Sequence, residues 1–128
     1  MRLTLPLLLA LATPALADQT IDLPGGVPTP VPGTAITLML TQITDKRCPA
    51  DRLCRTQGEI RAEIAVLNGT SATTSFILCN ACKDATASAR LAGMSFTLVQ
   101  LSPSRAVLDP IGRNPQLSDY TLQVTVTP

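Results

Sequence analysis

Histidine and tryptophan are absent from this 128-residue chain, and its aromatic residues are Phe76, Phe96 and Tyr120 alone. Without histidine there is no Ser-His-Asp or Cys-His arrangement, and the commonest general base is missing. Mixed cysteine–histidine metal sites are excluded for the same reason. No G-x-S-x-G, H-E-x-x-H or glycine-rich phosphate loop is present either. The residues therefore assign no catalytic group and no cofactor, and the expectation is a protein that is not an enzyme. Excess charge is lacking too: ten basic residues stand against nine acidic ones. With no basic cluster interleaved with aromatics, nothing points to nucleic acid as a partner.

What is present begins with an address. Residues 1–17, MRLTLPLLLALATPALA, carry Arg2, an apolar run from Leu3 to about Ala12, and Ala15-Leu16-Ala17. This charged, apolar, small-x-small order is that of a secretory signal peptide cleaved after Ala17. The apolar run is too short to cross a bilayer as a helix, and Pro14 interrupts it. The expectation is a soluble, periplasmic or secreted chain starting at Asp18, with no membrane insertion after cleavage. Removal of Arg2 leaves it formally neutral.

Residues 18–33 include LPGGVPTPVPG, a Pro/Gly-rich arm that is extended or turning and poor in donors for a sheet, preceded by a short strand at Thr20–Leu23. A domain over 34–128 comes next. Ile36, Leu38 and Leu40 share one face of a strand, with Thr37, Met39 and Thr41 on the other, and the phase slips at Gln42-Ile43 as a bulge would make it. Ile60, Ala62, Ile64 and Val66 alternate with Arg61, Glu63 and Ala65; a helix would leave Val66 off its apolar stripe, so a strand accounts better for the pattern. That strand stops at Asn68-Gly69, a hairpin signal that outweighs the glycosylation sequon it shares with Thr70.

A further strand spans about Thr74–Cys79, followed by DATASAR as a loop or single helical turn. The strand 94–102 places Met94, Phe96 and Leu98 on one face and slips at Val99-Gln100. The last alternates Tyr120, Leu122, Val124 and Val126 without a fault, after a long irregular connection, SRAVLDPIGRNPQLS. The fold class is all-β: an antiparallel β-sandwich, of a length that suits an immunoglobulin-like one, with disulfide staples.

Four cysteines permit three pairings, and export favours disulfides over thiols. Cys48 and Cys54 bound a tight polar loop turned by Pro49; cross-pairing with Cys79 or Cys82 would close a larger one. Each short loop would stabilise by roughly 2 kcal/mol, a larger one by about 4 kcal/mol. Asp45-Lys46-Arg47-Cys48-Pro49-Ala50-Asp51-Arg52-Leu53-Cys54 fits D-x-R-C-P-x-D-x-x-C. It resembles a family of small exported bacterial proteins, many of them lipoproteins, without an established function. Gly58 and the strand after it, Pro103, and Asp119-Tyr120 opening the last strand extend the similarity over roughly 34–67 and 94–126. Two features depart from the family: Thr56 stands where a tryptophan is usual, and Cys79/Cys82 are not part of its pattern. The resemblance implies a Cys48–Cys54 bond, which leaves Cys79 with Cys82, and it implies no mechanism.

Three readings of Cys79 and Cys82 differ in chemistry. As C-x-x-C after a strand they resemble a redox dithiol, but DATASARLAG is a poor helix to stabilise a thiolate and Asp84 opposes one. A four-thiolate zinc site with Cys48 and Cys54 would need an unusual C-x5-C half. A staple is the preferred reading, and no metal is assigned. In the first loop, Asp45 and Asp51 read as caps of turn N–H groups rather than as an acid–base pair. Arg47, Arg52 and Arg55 concentrate charge beside them, either as a salt-bridged surface or as a recognition site. The functional expectation is a non-enzymatic binding or structural module of the bacterial envelope. Its candidate binding loop holds Asp45, Arg47, Asp51, Arg52 and Arg55, and its partner is a protein or small ligand of the envelope. The alternative is thiol–disulfide redox or metal handling through Cys79/Cys82.

Overall fold

Strict alternation of branched and polar residues drives the chain into strands, and the strands stack as two layers. The computed structural model describes residues 17–69 and 71–128, together with Ala10. The signal-peptide expectation thus lies almost wholly outside the described residues. Among the described residues eight strands are formed: β1 (Gln19–Pro24), β2 (Thr29–Pro30), β3 (Thr37–Asp45), β4 (Ile60–Asn68), β5 (Ser71–Asn80), β6 (Ser88–Leu91), β7 (Met94–Ser102) and β8 (Thr121–Thr127). They make two four-stranded sheets, ordered β1-β8-β7-β6 and β2-β3-β4-β5, with every strand pair antiparallel. Within each sheet neighbours are consecutive in the chain, except that β1 lies beside β8. This path is simpler than the Greek-key crossing of an immunoglobulin domain.

The core lies between the sheets. Leu23, Leu38, Leu40, Ile64, Leu78, Phe96, Leu122, Val124 and Val126 are wholly buried, and each such side chain contributes about 2 kcal/mol on transfer from water. Phe76 and Phe96 meet across the layers with ring centroids 5.2 Å apart. The alternation read in the last strand holds throughout, since Tyr120, Leu122, Val124 and Val126 are all buried. The phase slips are bulges: register shifts between Leu40 and Gln42 against β4, and between Leu98 and Gln100 against β8. Thr41, the extra residue of the first, turns its hydroxyl onto the Glu63 carbonyl at 3.0 Å.

Three stretches differ from expectation. The arm 18–33 is part of the sandwich: β1 pairs along its length with β8, β2 pairs with β3, and Val31 is buried. Of its four prolines, Pro24 sits where β1 ends and Pro30 in a two-residue edge strand, where a sheet tolerates a missing donor, and Pro28 and Pro32 lie outside the strands. Gly25 packs against the backbone of Leu117, leaving no room for a Cβ. Of DATASAR only residues 84–87 are a loop; Ser88, Ala89 and Arg90 already belong to β6 and pair with β7. The long connection before β8 is not irregular throughout, for it holds a short helix α1 (Arg105–Leu108) and two 3₁₀ turns, at Asp109–Ile111 and Leu117–Asp119. Asn68 pairs with Ser71 at the end of β4, so the turn begins at Gly69, whose φ is +64°. No helix among the described residues is long and apolar enough to cross a membrane.

Candidate functional site

The loop 46–59 leaves the sandwich at the end of β3 and returns at β4. Its neck is a continued ladder: Lys46 N–H donates to the Glu59 carbonyl at 2.8 Å, and Cys48 N–H to that of Gln57 at 2.9 Å. Gly58, at φ +82° and against the Lys46 backbone, is required there, because a side chain would strike the Lys46 carbonyl. Above the neck, Cys48 and Cys54 are joined in a disulfide with Cα atoms 5.9 Å apart.

Asp45 and Arg47 anchor this loop rather than present it. Arg47 grips Asp45 as a fork, with Nε donating to Oδ1 at 2.8 Å and Nη2 to Oδ2 at 2.9 Å. Its backbone N–H also donates to Asp45 Oδ1, at 3.1 Å, so the capping role expected of Asp45 is present together with an ion pair. Nη1 and Nη2 then reach the carbonyls of Leu101 and Pro103, at 3.0 and 2.9 Å. The Tyr120 hydroxyl donates to Asp45 Oδ2 at 3.1 Å. The side chains of Arg47 and Asp45 are 15% and 5% exposed, so the pair is largely desolvated and all its partners matter.

A second clamp lies beside the first. Arg105 Nη1 donates to the Arg47 carbonyl at 3.0 Å and its Nε to Asp109 Oδ1 at 2.8 Å. Asp109 Oδ2 accepts the Ala50 N–H at 2.9 Å. The connection between β7 and β8 is thereby fixed to the loop at two points. Closer to β8, Arg113 and Asp119 form a two-bond ion pair at 2.7 and 2.8 Å, and Asp119 Oδ2 also accepts the Gln116 N–H at 2.7 Å.

These contacts set the ionisation of the site. Burial opposes charge on Asp45, but the side-chain and backbone hydrogen bonds from Arg47, its positive charge and the Tyr120 hydroxyl outweigh it, so the carboxyl is held below its ordinary value. Burial and the adjacent Asp45 carboxylate push the Tyr120 phenol up to about 12. The Ala50 N–H, then Arg105, hold Asp109 below the carboxylate range, and Arg113 with the Gln116 N–H brings Asp119 to about 2.

The other candidates of the loop face outward. Asp51, Arg52 and Arg55 are exposed, and none joins the ion pairs formed among the described residues. Asp51 and Arg52 line a shallow cleft of about 540 Å³ with Pro49, Ala50, Arg105, Asp109 and Pro110. A smaller cleft of about 290 Å³ lies behind it, bounded by Asp45, Arg105, Arg113 and Tyr120 among others. Leu53, at the tip, is fully exposed. Sequence reasoning singles out neither Leu53 nor the anchors Tyr120, Arg105 and Asp109. The i, i+4 spacing of Arg105 and Asp109 is the available signal for the last two.

Cys79 and Cys82 are likewise joined, with Cα atoms 5.8 Å apart, and no cysteine is free. Cys79 is buried at the end of β5 and its N–H donates to the Thr86 carbonyl at 2.8 Å. Glu59 places a carboxylate oxygen within 4.8 Å of both sulfurs. Arg61 Nη2 lies 3.8 Å from Cys82 Sγ and 2.6 Å from Asp84 Oδ1. The two cystines lie in separate places, and a four-thiolate arrangement is not formed. Disulfides of this kind fit a protein that works outside the cytoplasm. In comparisons with known proteins, no family model, no curated protein and no solved structure matches the chain.

Proposed function

We propose that the chain is an exported, periplasmic or secreted module of the bacterial envelope that binds another protein through its first cystine loop and performs no catalysis itself. The observation that carries this reading is Leu53: a large apolar side chain held fully exposed at the tip of a loop that is closed by a disulfide and clamped by Asp45, Arg47, Tyr120, Arg105 and Asp109. An apolar anchor on a preorganised loop loses little entropy on binding. Arg52 and Arg55 flank it as the polar rim of a contact. The expected partner surface is an apolar pocket edged with polar groups.

The test compares baits exposed to an envelope extract of the host. Wild-type protein retains a partner that Leu53→Ser and Arg52→Ala lose, while both variants keep the wild-type thermal midpoint. Equal retention by all three would remove the loop as the site.

The rival reading, redox or metal handling at Cys79/Cys82, has one supporting observation, the Glu59 carboxylate beside both sulfurs. Non-reducing peptide mapping of the exported protein, with thiol alkylation and metal analysis, separates the two. Full oxidation that resists mild reductant leaves that cystine a staple; free thiols or one zinc per chain favours the rival.

A further inference from the structure

The four sheet edges of the sandwich are not protected alike. β1 carries Asp22 and ends at Pro24, and its flank is tied to the other sheet by Gln19 Nε2 donating to the Pro32 carbonyl at 2.8 Å and by Gly26 N–H donating to that of Leu40 at 2.8 Å. β2 is two residues long and includes Pro30. β6 is four residues long and includes Arg90. Shortness, charge and proline are the devices that stop an edge from pairing with another chain. β5 has none of them: it runs ten residues, SATTSFILCN, without a charge, a proline or a glycine. No strand among the described residues pairs with its far side.

The ladder fixes which backbone groups turn outward. Glu59 turns its carbonyl to β3, where it accepts from Lys46, so alternation makes Ile60, Ala62 and Ile64 face β5. Their partners Asn80, Leu78 and Phe76 therefore face β4, and Ser75, Ile77 and Cys79 turn N–H and C=O outward. The outward donation from Cys79 N–H to Thr86 agrees with that parity. One end of the open stretch is thus capped at Cys79. The other is broken where the register shifts between Val66 and Leu67, leaving Thr73 as the extra residue. Residues 74–78 remain open, with Phe76 at their centre and the outward pair Ser75 and Ile77 placed symmetrically about it.

We propose that this edge is the interface of a two-fold dimer, in which β5 pairs antiparallel with β5 of a second copy about an axis through Phe76. Ser75 then exchanges both backbone hydrogen bonds with Ile77 of the other copy, and the reverse, while the Thr86 cap ends the ladder at each side. An isologous contact places each residue near its own kind, so a neutral strand is what such an interface needs. Ile77, 44% exposed on the outer face, is covered by the pairing. The contact is short, and the association is therefore weak and concentration-dependent.

Sedimentation of the mature, oxidised protein over a wide concentration range tests this, with amide exchange measured in parallel. The expected result is a reversible monomer–dimer equilibrium in which exchange at Ser75 and Ile77 slows as concentration rises. Ile77→Lys sets two ammonium groups diagonal to each other across the axis, and Ser75→Pro removes a donor that only an outside partner would use. Both are expected to remain monomeric with an unchanged thermal midpoint, and if the proline variant misfolds, the lysine variant decides. A wild-type protein that is monomeric throughout, or a dimer that persists in the folded variants, overturns the proposal. So does an edge whose exchange slows only on adding an extended peptide.

Discussion

The two cystines both close short loops, six and three residues in sequence separation, yet sit in opposite surroundings. Cys48–Cys54 closes a loop outside the sandwich, held by a largely desolvated ion pair and hydrogen bonds from the β7–β8 connection. Cys79–Cys82 finishes a strand, with Cys79 buried in the sheet and a surface pair, Arg61–Asp84, and the Glu59 carboxylate at its side. The same bond is a frame for a displayed side chain in one place and the end-stop of a strand in the other. What distinguishes them is not the spacing of the cysteines but what the neighbouring backbone leaves to be satisfied: Arg47 answers two carbonyls and a carboxylate that lie far apart in the chain.

Breaking the frame electrostatically has the largest expected effect. Arg47→Ala leaves the Asp45 carboxylate desolvated and the Leu101 and Pro103 carbonyls without their donor, at a cost of about 3 kcal/mol, read as a lower midpoint in denaturant unfolding. Removing the cystines comes next. Cys48→Ala/Cys54→Ala and Cys79→Ala/Cys82→Ala each lose roughly 2 kcal/mol of chain-entropy stabilisation. The second pair also loses the packing of buried Cys79, so it unfolds at the lower temperature. The opposite order would mean that the first cystine holds up the sandwich rather than the loop.

Tyr120→Phe removes one hydrogen bond to a charged group and costs about 1.5 kcal/mol near neutral pH. Its pH dependence carries a definite sign. Because the Asp45 carboxyl is held low, its stabilisation is complete above the unfolded carboxylate value and is lost as pH falls through the folded one. Because the Tyr120 phenol is pushed up to about 12, its stabilisation is complete below the ordinary phenol value of 10.0 and fades as pH rises through about 12. Tyr120→Phe is expected to flatten that alkaline fall. The smallest effect is expected of Leu53→Ser, which changes stability by less than about 0.5 kcal/mol, because the side chain touches solvent alone.

Much of the sandwich was legible in the chain because alternation is a local signal. In β8 every second residue is apolar, and the bulges in β3 and β7 showed as faults in the same pattern. β6 escaped because SARL, though it alternates, is only four residues long and its hairpin turns on Ala92-Gly93, with φ of +52° and +76°. The positive φ at Ala92 is one that Asn or Asp would have announced. β1 escaped as part of a sheet because proline and glycine dominate the residues after it. The loop was half legible: its charges stood out, yet the separation of Arg47 from Arg52 and Arg55 depends on Leu101, Pro103 and Tyr120, whose approach no local pattern reports. Leu53 looked like one apolar residue among charges, and only its exposure gives it meaning.

Asp45, Arg47 and Tyr120 form one desolvated anchor beneath the displayed loop. With a single tyrosine and no tryptophan in the chain, phenolate absorbance during alkaline titration reports Tyr120 alone. The expected midpoint is pushed up to about 12 in the folded protein and is lower in Asp45→Asn. A wild-type midpoint at the ordinary tyrosine value of 10.0, unchanged by Asp45→Asn, would contradict the anchor and the preorganised loop that rests on it.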